Sequence, residues 1–129
     1  MITPSLLDLP VLAAILAFAL MGVGALARPL LVSRQFDIST LTAAGRNEVR
    51  AVYGGFGLSM AACLAAALWL PDLRVGVCLT VAAALAGMAG GRLISAMMDQ
   101  TLGRLPAAYL ALETVTALLL AYAALGPQA

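Results

Sequence analysis

Four stretches of the sequence, each close to the length of a membrane span and each closed by proline or charge, leave this chain few folds to choose from. A helical residue rises about 1.5 Å and the hydrocarbon core of a bilayer is about 30 Å thick, so about 20 consecutive apolar residues cross it. The first stretch runs from Leu9 to Ala27, with Pro10 in the first turn, where the missing N–H does no harm, and Arg28-Pro29 as the stop. The second runs from Arg46 to Leu70 and stops at Pro71-Asp72, the third from Leu73 to Met98, and the fourth from Pro106 to Leu125, ahead of Gly126-Pro127. Lipid offers no partner to a backbone amide, and four segments cannot close a barrel, so each must be a helix. An all-α integral membrane protein, one four-helix transmembrane bundle over residues 1–129, is predicted, with no internal repeat or linker to divide it.

Composition agrees. Of 129 residues, 64% are hydrophobic and 10% charged, with a mean hydropathy of +1.05; a water-soluble domain would lack the polar residues to cover its surface. The charge is seven arginines against six carboxylates, with no histidine and no basic stripe of the kind that nucleic acid requires. Cys63 and Cys78 lie inside apolar stretches rather than in a Cys-x-x-Cys pair, and they read as free buried thiols. The methionines are apolar filler, since no histidine or cysteine cluster accompanies them. No metal or cofactor is expected. The N-terminus has no arginine ahead of its apolar run, so the first segment reads as a retained helix rather than a cleaved signal.

Orientation follows from the arginines. The one long connection, Pro29 to Gly45, carries Arg34 and is flanked by Arg28, Arg46 and Arg50, and the connection between the third and fourth helices adds Arg104; the opposite face has Arg74 beside Asp72. By the positive-inside rule the arginine-rich face is cytoplasmic and both termini lie outside. Within the long connection Leu30, Leu31, Val32, Phe36 and Ile38 interleave with Arg34 and Asp37, as either a short helix in the headgroup layer or a plain loop. Trp69 falls at the outer boundary, where aromatic residues gather.

Helices associate in lipid through close packing, which small side chains permit. Gly54 and Gly57 on the second helix, and Gly87 and Gly91 on the third, are the helix-packing candidates. They serve either contacts within the bundle, the plainer case, or a homo-oligomer interface.

Charges within a span are costly, so they are expected to face protein or water and to have partners. Arg92 and Glu113 lie about equally far from the turn at Leu102-Gly103 on successive antiparallel helices, so they share a depth and are predicted to pair. Arg92, Ser95 and Asp99 follow the i, i+3, i+7 spacing of one helical face, and Tyr109, Glu113 and Thr116 share another. Asn47, Arg50, Gly54 and Gly57 form a stripe on the second helix, with Tyr53 and Glu48 close by. Asn47, Arg50, Tyr53, Arg92, Ser95, Asp99 and Glu113 are therefore candidates for a cytoplasmic-side pocket that takes a small anionic or amphipathic ligand. The alternative is a structural network that fixes helix register.

The run Arg46-Asn47-Glu48-Val49-Arg50-Ala51-Val52-Tyr53-Gly54-Gly55, followed by Gly91-Arg92-Leu93-Ile94-Ser95 with Asp99 and then Glu113, resembles the domain-of-unknown-function family 4345, small bacterial four-helix membrane proteins. The resemblance covers the second to fourth helices and departs at Gln100, where members often carry glycine. It implies a multi-pass protein of the bacterial inner membrane, with both termini then periplasmic, and supplies no activity. An enzyme is not expected: without histidine no Ser-His or Cys-His pair exists, and nothing marks Asp99 and Glu113 as acting on a substrate. Small multidrug transporters, similar in size, rely on a carboxylate in the first helix, which from Leu9 onward has no charge here. The bilayer is the expected partner. A binding or transport-related module and a structural or assembly protein remain the two functional classes.

Overall fold

The computed structural model describes residues 8–126. Among them every regular element is helical: α1 (Asp8–Ala27), α2 (Pro29–Arg34), α3 (Ala43–Val49), a π-helical turn (Arg50–Gly55), α4 (Phe56–Trp69), α5 (Pro71–Asp99) and α6 (Arg104–Leu125). The segment from Ala43 to Trp69 runs as one rod, so four helices of 20, 27, 29 and 22 residues are long and apolar enough to cross a membrane. The protein is all-helical and membrane-embedded.

Local chemistry sets the breaks. A residue before proline is pushed out of the helical region by the proline ring, and both Arg28 (φ −137°) ahead of Pro29 and Leu70 (φ −120°) ahead of Pro71 leave the helix there. Each proline then occupies the first turn of the next helix, where no N–H is missed. The Thr42 hydroxyl caps α3 by accepting from the Gly45 amide at 3.1 Å. At the far end of α5, Gln100 takes the left-handed conformation (φ 52°) that usually falls to glycine. The Gln100 side chain donates to the Met97 carbonyl.

The chain forms two compact units, one of described residues 8–11 and 66–126, the other Leu12–Ala65. In the first, α5 and α6 make an antiparallel hairpin. Cys78, Val81, Leu85 and Ala89 on α5, and Glu113, Ala117, Leu120 and Ala124 on α6, recur every three or four residues and are buried. In the second, α1 meets the π turn and α4 at glycines. A Cβ on Gly57 would lie 3.0 Å from the Phe18 carbonyl oxygen and 3.2 Å from the Gly22 Cα, and one on Gly54 would lie 2.7 Å from a Leu26 methyl carbon. Only hydrogen fits there, which is how two backbones come this close.

Gly87 and Gly91, expected to pack against a helix, are exposed, and beyond the adjoining residues and backbone of α5 itself no described atom lies within 4 Å of a Cβ built on either. The buried stripe of α5 passes through Leu85 and Ala89, and the glycines lie off it. Outward-facing side chains are large and apolar, as lipid contact demands: Leu20 and Leu118 are each about two-thirds exposed. Cys78 is buried, whereas Cys63, expected to be buried too, is exposed; both thiols are free.

Candidate functional site

The α5–α6 hairpin brings Arg92 and Glu113 together. The Arg92 Nε donates to Glu113 Oε2 at 2.8 Å and its Nη2 to Oε1 at 2.7 Å, a two-pronged pair that matches the planar guanidinium to the carboxylate. The guanidinium carbon also lies 5.1 Å from the centroid of the Tyr109 ring, within cation–π range. Tyr109 stands one turn before Glu113 on α6, so helical spacing delivers both groups to the same arginine. The Glu113 side chain is 6% exposed and that of Arg92 22%, so the carboxylate is the more enclosed partner.

One turn further along α5, the Ser95 hydroxyl donates to the Asp99 carboxylate at 3.2 Å. These groups border a cleft of about 480 Å³ at the hairpin turn, lined by the polar residues Arg92, Ser95, Asp99 and Thr101 and by apolar ones that include Met88 and Leu102. Gly91 also lines it. Glu113 stands behind Arg92 and cancels its charge, so the cleft offers hydrogen-bonding groups rather than an unbalanced cation.

The other candidates belong to the second unit. Arg50 sits at the start of the π turn, and its Nε donates to the Leu26 carbonyl at 3.1 Å, near the C-terminal end of α1, where a cation also complements the helix dipole. The Tyr53 ring stacks on Phe36 with centroids 6.2 Å apart. Asn47 and Glu48 are exposed. The bonds of Arg50 and Tyr53 lie within Leu12–Ala65, and those of Arg92, Ser95, Asp99 and Glu113 within the other unit.

Three features escaped the sequence. The π turn is one. It has an i→i+5 bond from the Phe56 amide to the Ala51 carbonyl; such turns concentrate at functional positions, and the adjacent Gly54-Gly55 was its only signal. Gly22, which closes the α1 contact from the other side, is another. The third is an ion pair between Asp8 and Arg74, with Asp8 Oδ1 2.5 Å from Arg74 Nη1 and both side chains largely buried. Asp8 is the first described residue of α1, so that helix does begin with a carboxylate, contrary to the uncharged span read from Leu9. The signal available was an acid immediately before an apolar run.

The family pattern of unknown function DUF4345 matches residues 7–124. The chain belongs to the DUF4345 family. The match takes in α1 as well as the three later spans, so the DUF4345 region covers nearly all of this chain. No curated protein and no solved structure matches the chain.

Proposed function

We propose that this DUF4345 protein is a multi-pass protein of the bacterial inner membrane with both termini in the periplasm, and that the cleft at the α5–α6 turn binds a small amphipathic molecule. The orientation is supported by the arginines at positions 28, 34, 46, 50 and 104, which flank the connections between the first and second and between the third and fourth spans. The observation that carries the binding proposal is the cleft itself, whose lining combines Arg92, Ser95, Asp99 and Thr101 with Met88 and Leu102. A molecule with a polar head and an apolar body matches that mixed lining. Because Glu113 already neutralises Arg92, an amphipathic ligand is favoured over a simple anion. The role is non-enzymatic: there is no histidine, and the two carboxylates closest to the cleft are engaged by Ser95 and Arg92.

Native mass spectrometry of the protein in mild detergent tests this. Gly91 lines the cleft and a Cβ there meets no neighbour within 4 Å beyond its own helix backbone, so Gly91→Leu introduces bulk into the cleft. A co-purifying small molecule that is lost from Gly91→Leu is the expected result. No bound species in the wild type, or one retained in the variant, refutes it.

A second assignment, a structural or assembly protein, draws on a specific observation: the Arg92–Glu113–Tyr109 cluster satisfies itself inside the hairpin, as a register lock would. The exposed glycines Gly87 and Gly91 then serve a partner helix, such as that of a second copy. A dimer that is disrupted in Gly91→Leu, with no ligand present, supports this assignment over the first.

A further inference from the structure

Six of the seven arginines of this chain fall into two groups; the seventh, Arg104, opens α6 and is exposed. Arg74 and Arg92, on α5, each bond a carboxylate of the same chain. Arg28, Arg34, Arg46 and Arg50 all fall within residues 28–50, an elbow that runs from the end of α1 through the first turns of the second span; they are exposed, and none of them forms an ion pair among the described residues. Two carboxylates, Asp37 and Glu48, lie in the same stretch and leave its four arginines in excess.

The elbow is folded, so these charges are held in place. The Ser33 hydroxyl, buried, is 3.1 Å from the carbonyls of both Leu30 and Ile38, and the Ile38 amide donates back to the Ser33 carbonyl at 3.2 Å. Asp37 turns the chain with φ 62°, a conformation that aspartate tolerates better than most residues. The Phe36–Tyr53 stack ties this turn to the π turn, and the Arg50–Leu26 bond ties the π turn to the end of α1, two residues before Arg28. Arg46 uses one guanidinium nitrogen on the Leu41 carbonyl. A guanidinium carries five N–H donors, so Arg46 and Arg50 keep donors for another acceptor. Between the arginines, Leu31 and Ile38 are each 48% exposed and Phe36 36%.

We propose that this elbow is a docking surface for anionic phospholipid headgroups, with the arginines at the phosphates and Leu31, Phe36 and Ile38 dipped into the upper acyl layer. Charge complementarity decides the occupant. Among the described residues the elbow carries four arginines outside any ion pair and a net excess of two positive charges over Asp37 and Glu48, at the level where the spans end and the bilayer presents a plane of phosphates. Arginine recognises phosphate by paired N–H donors, and apolar side chains between cations are what a headgroup layer accommodates. Arg28 and Arg34 lie outside the α5–α6 cleft, so the proposal stands or falls separately from ligand binding there.

The test uses the full chain in mild detergent, titrated with phosphatidylglycerol or phosphatidylcholine of matched acyl chains and read by native mass spectrometry. Preferential retention of phosphatidylglycerol is expected. Arg28→Gln/Arg34→Gln removes two cations that form no ion pair among the described residues, and the preference should fall by about fivefold for each arginine lost. An unchanged melting temperature in lipid-free detergent confirms that the variant is folded; if it does not fold, Arg34→Gln alone is read in the same way. Equal retention of the two lipids, or a preference undiminished in the variant, overturns the proposal. So does displacement of phosphatidylglycerol by equimolar glycerol 3-phosphate, which would mean that a soluble phosphate, and not a lipid surface, is the occupant.

Discussion

Removing one partner of the Arg92–Glu113 pair has unequal consequences on its two sides. Arg92→Gln leaves a carboxylate that is 6% exposed without its cation, whereas Glu113→Gln leaves a guanidinium that is 22% exposed, carried on a long stem and still over the Tyr109 ring. Breaking a buried pair typically costs about 3 to 5 kcal/mol. Arg92→Gln should sit near the lower bound, about 3 kcal/mol, because neither group is wholly enclosed. Glu113→Gln keeps an acceptor oxygen for the arginine and gives it a route to the headgroups, so about 1.5 kcal/mol is expected. The double substitution leaves no buried charge and should cost about 3 kcal/mol rather than the sum, a coupling of about 1.5 kcal/mol. The assay is reversible unfolding by sodium dodecyl sulfate in mixed micelles, followed by helical circular dichroism and by the fluorescence of the single tryptophan, Trp69. Additive effects, or a larger loss in Glu113→Gln than in Arg92→Gln, would refute the assignment of the carboxylate as the enclosed member.

The glycines separate into two classes by space. Gly57→Ala drives a methyl to within 3.0 Å of the Phe18 carbonyl oxygen and should lower stability by about 1 to 3 kcal/mol; Gly91→Ala meets nothing within 4 Å and should raise it by up to about 1 kcal/mol through helix propensity. The same unfolding titration distinguishes them, and equal effects would contradict the α1–α4 contact. Asp8→Asn should destabilise by about 1 to 3 kcal/mol, because it leaves the largely buried Arg74 without its counter-charge; a change within the scatter of surface substitutions would show that the pair contributes nothing. Alkaline phosphatase fused after the last residue should be active and a fluorescent-protein fusion dark, as a periplasmic C-terminus requires; the reverse pattern would invert the topology.

The spans were legible because a bilayer makes one demand of sequence, a sufficient length of apolar residues without interruption, and it can be met or missed on inspection. The stops at Arg28-Pro29 and Leu70-Pro71 were legible for an equally local reason, the steric effect of proline on the residue before it. Arg92 and Glu113 could be paired from sequence because a tight antiparallel hairpin converts equal distance from the turn into equal depth. Each of these inferences needs only the chain's own periodicity.

What tertiary structure decided is which face meets which neighbour. Gly57 and Gly91 are alike as residues in apolar helices, yet one abuts a backbone and the other faces open space. That difference lies in the rotation of a helix about its axis, which mean hydropathy does not specify when every face is apolar. The Asp8–Arg74 pair joins residues 66 positions apart, and no local rule selects that partner. The π turn depends on an amide choosing a carbonyl five residues back rather than four, a choice that apolar periodicity does not encode. Sequence alone determined that the chain must be helical and must live in lipid, because those are bulk consequences of apolar length; the pairing of charges and the approach of backbones are matters of azimuth and distance, and only the folded chain supplies them.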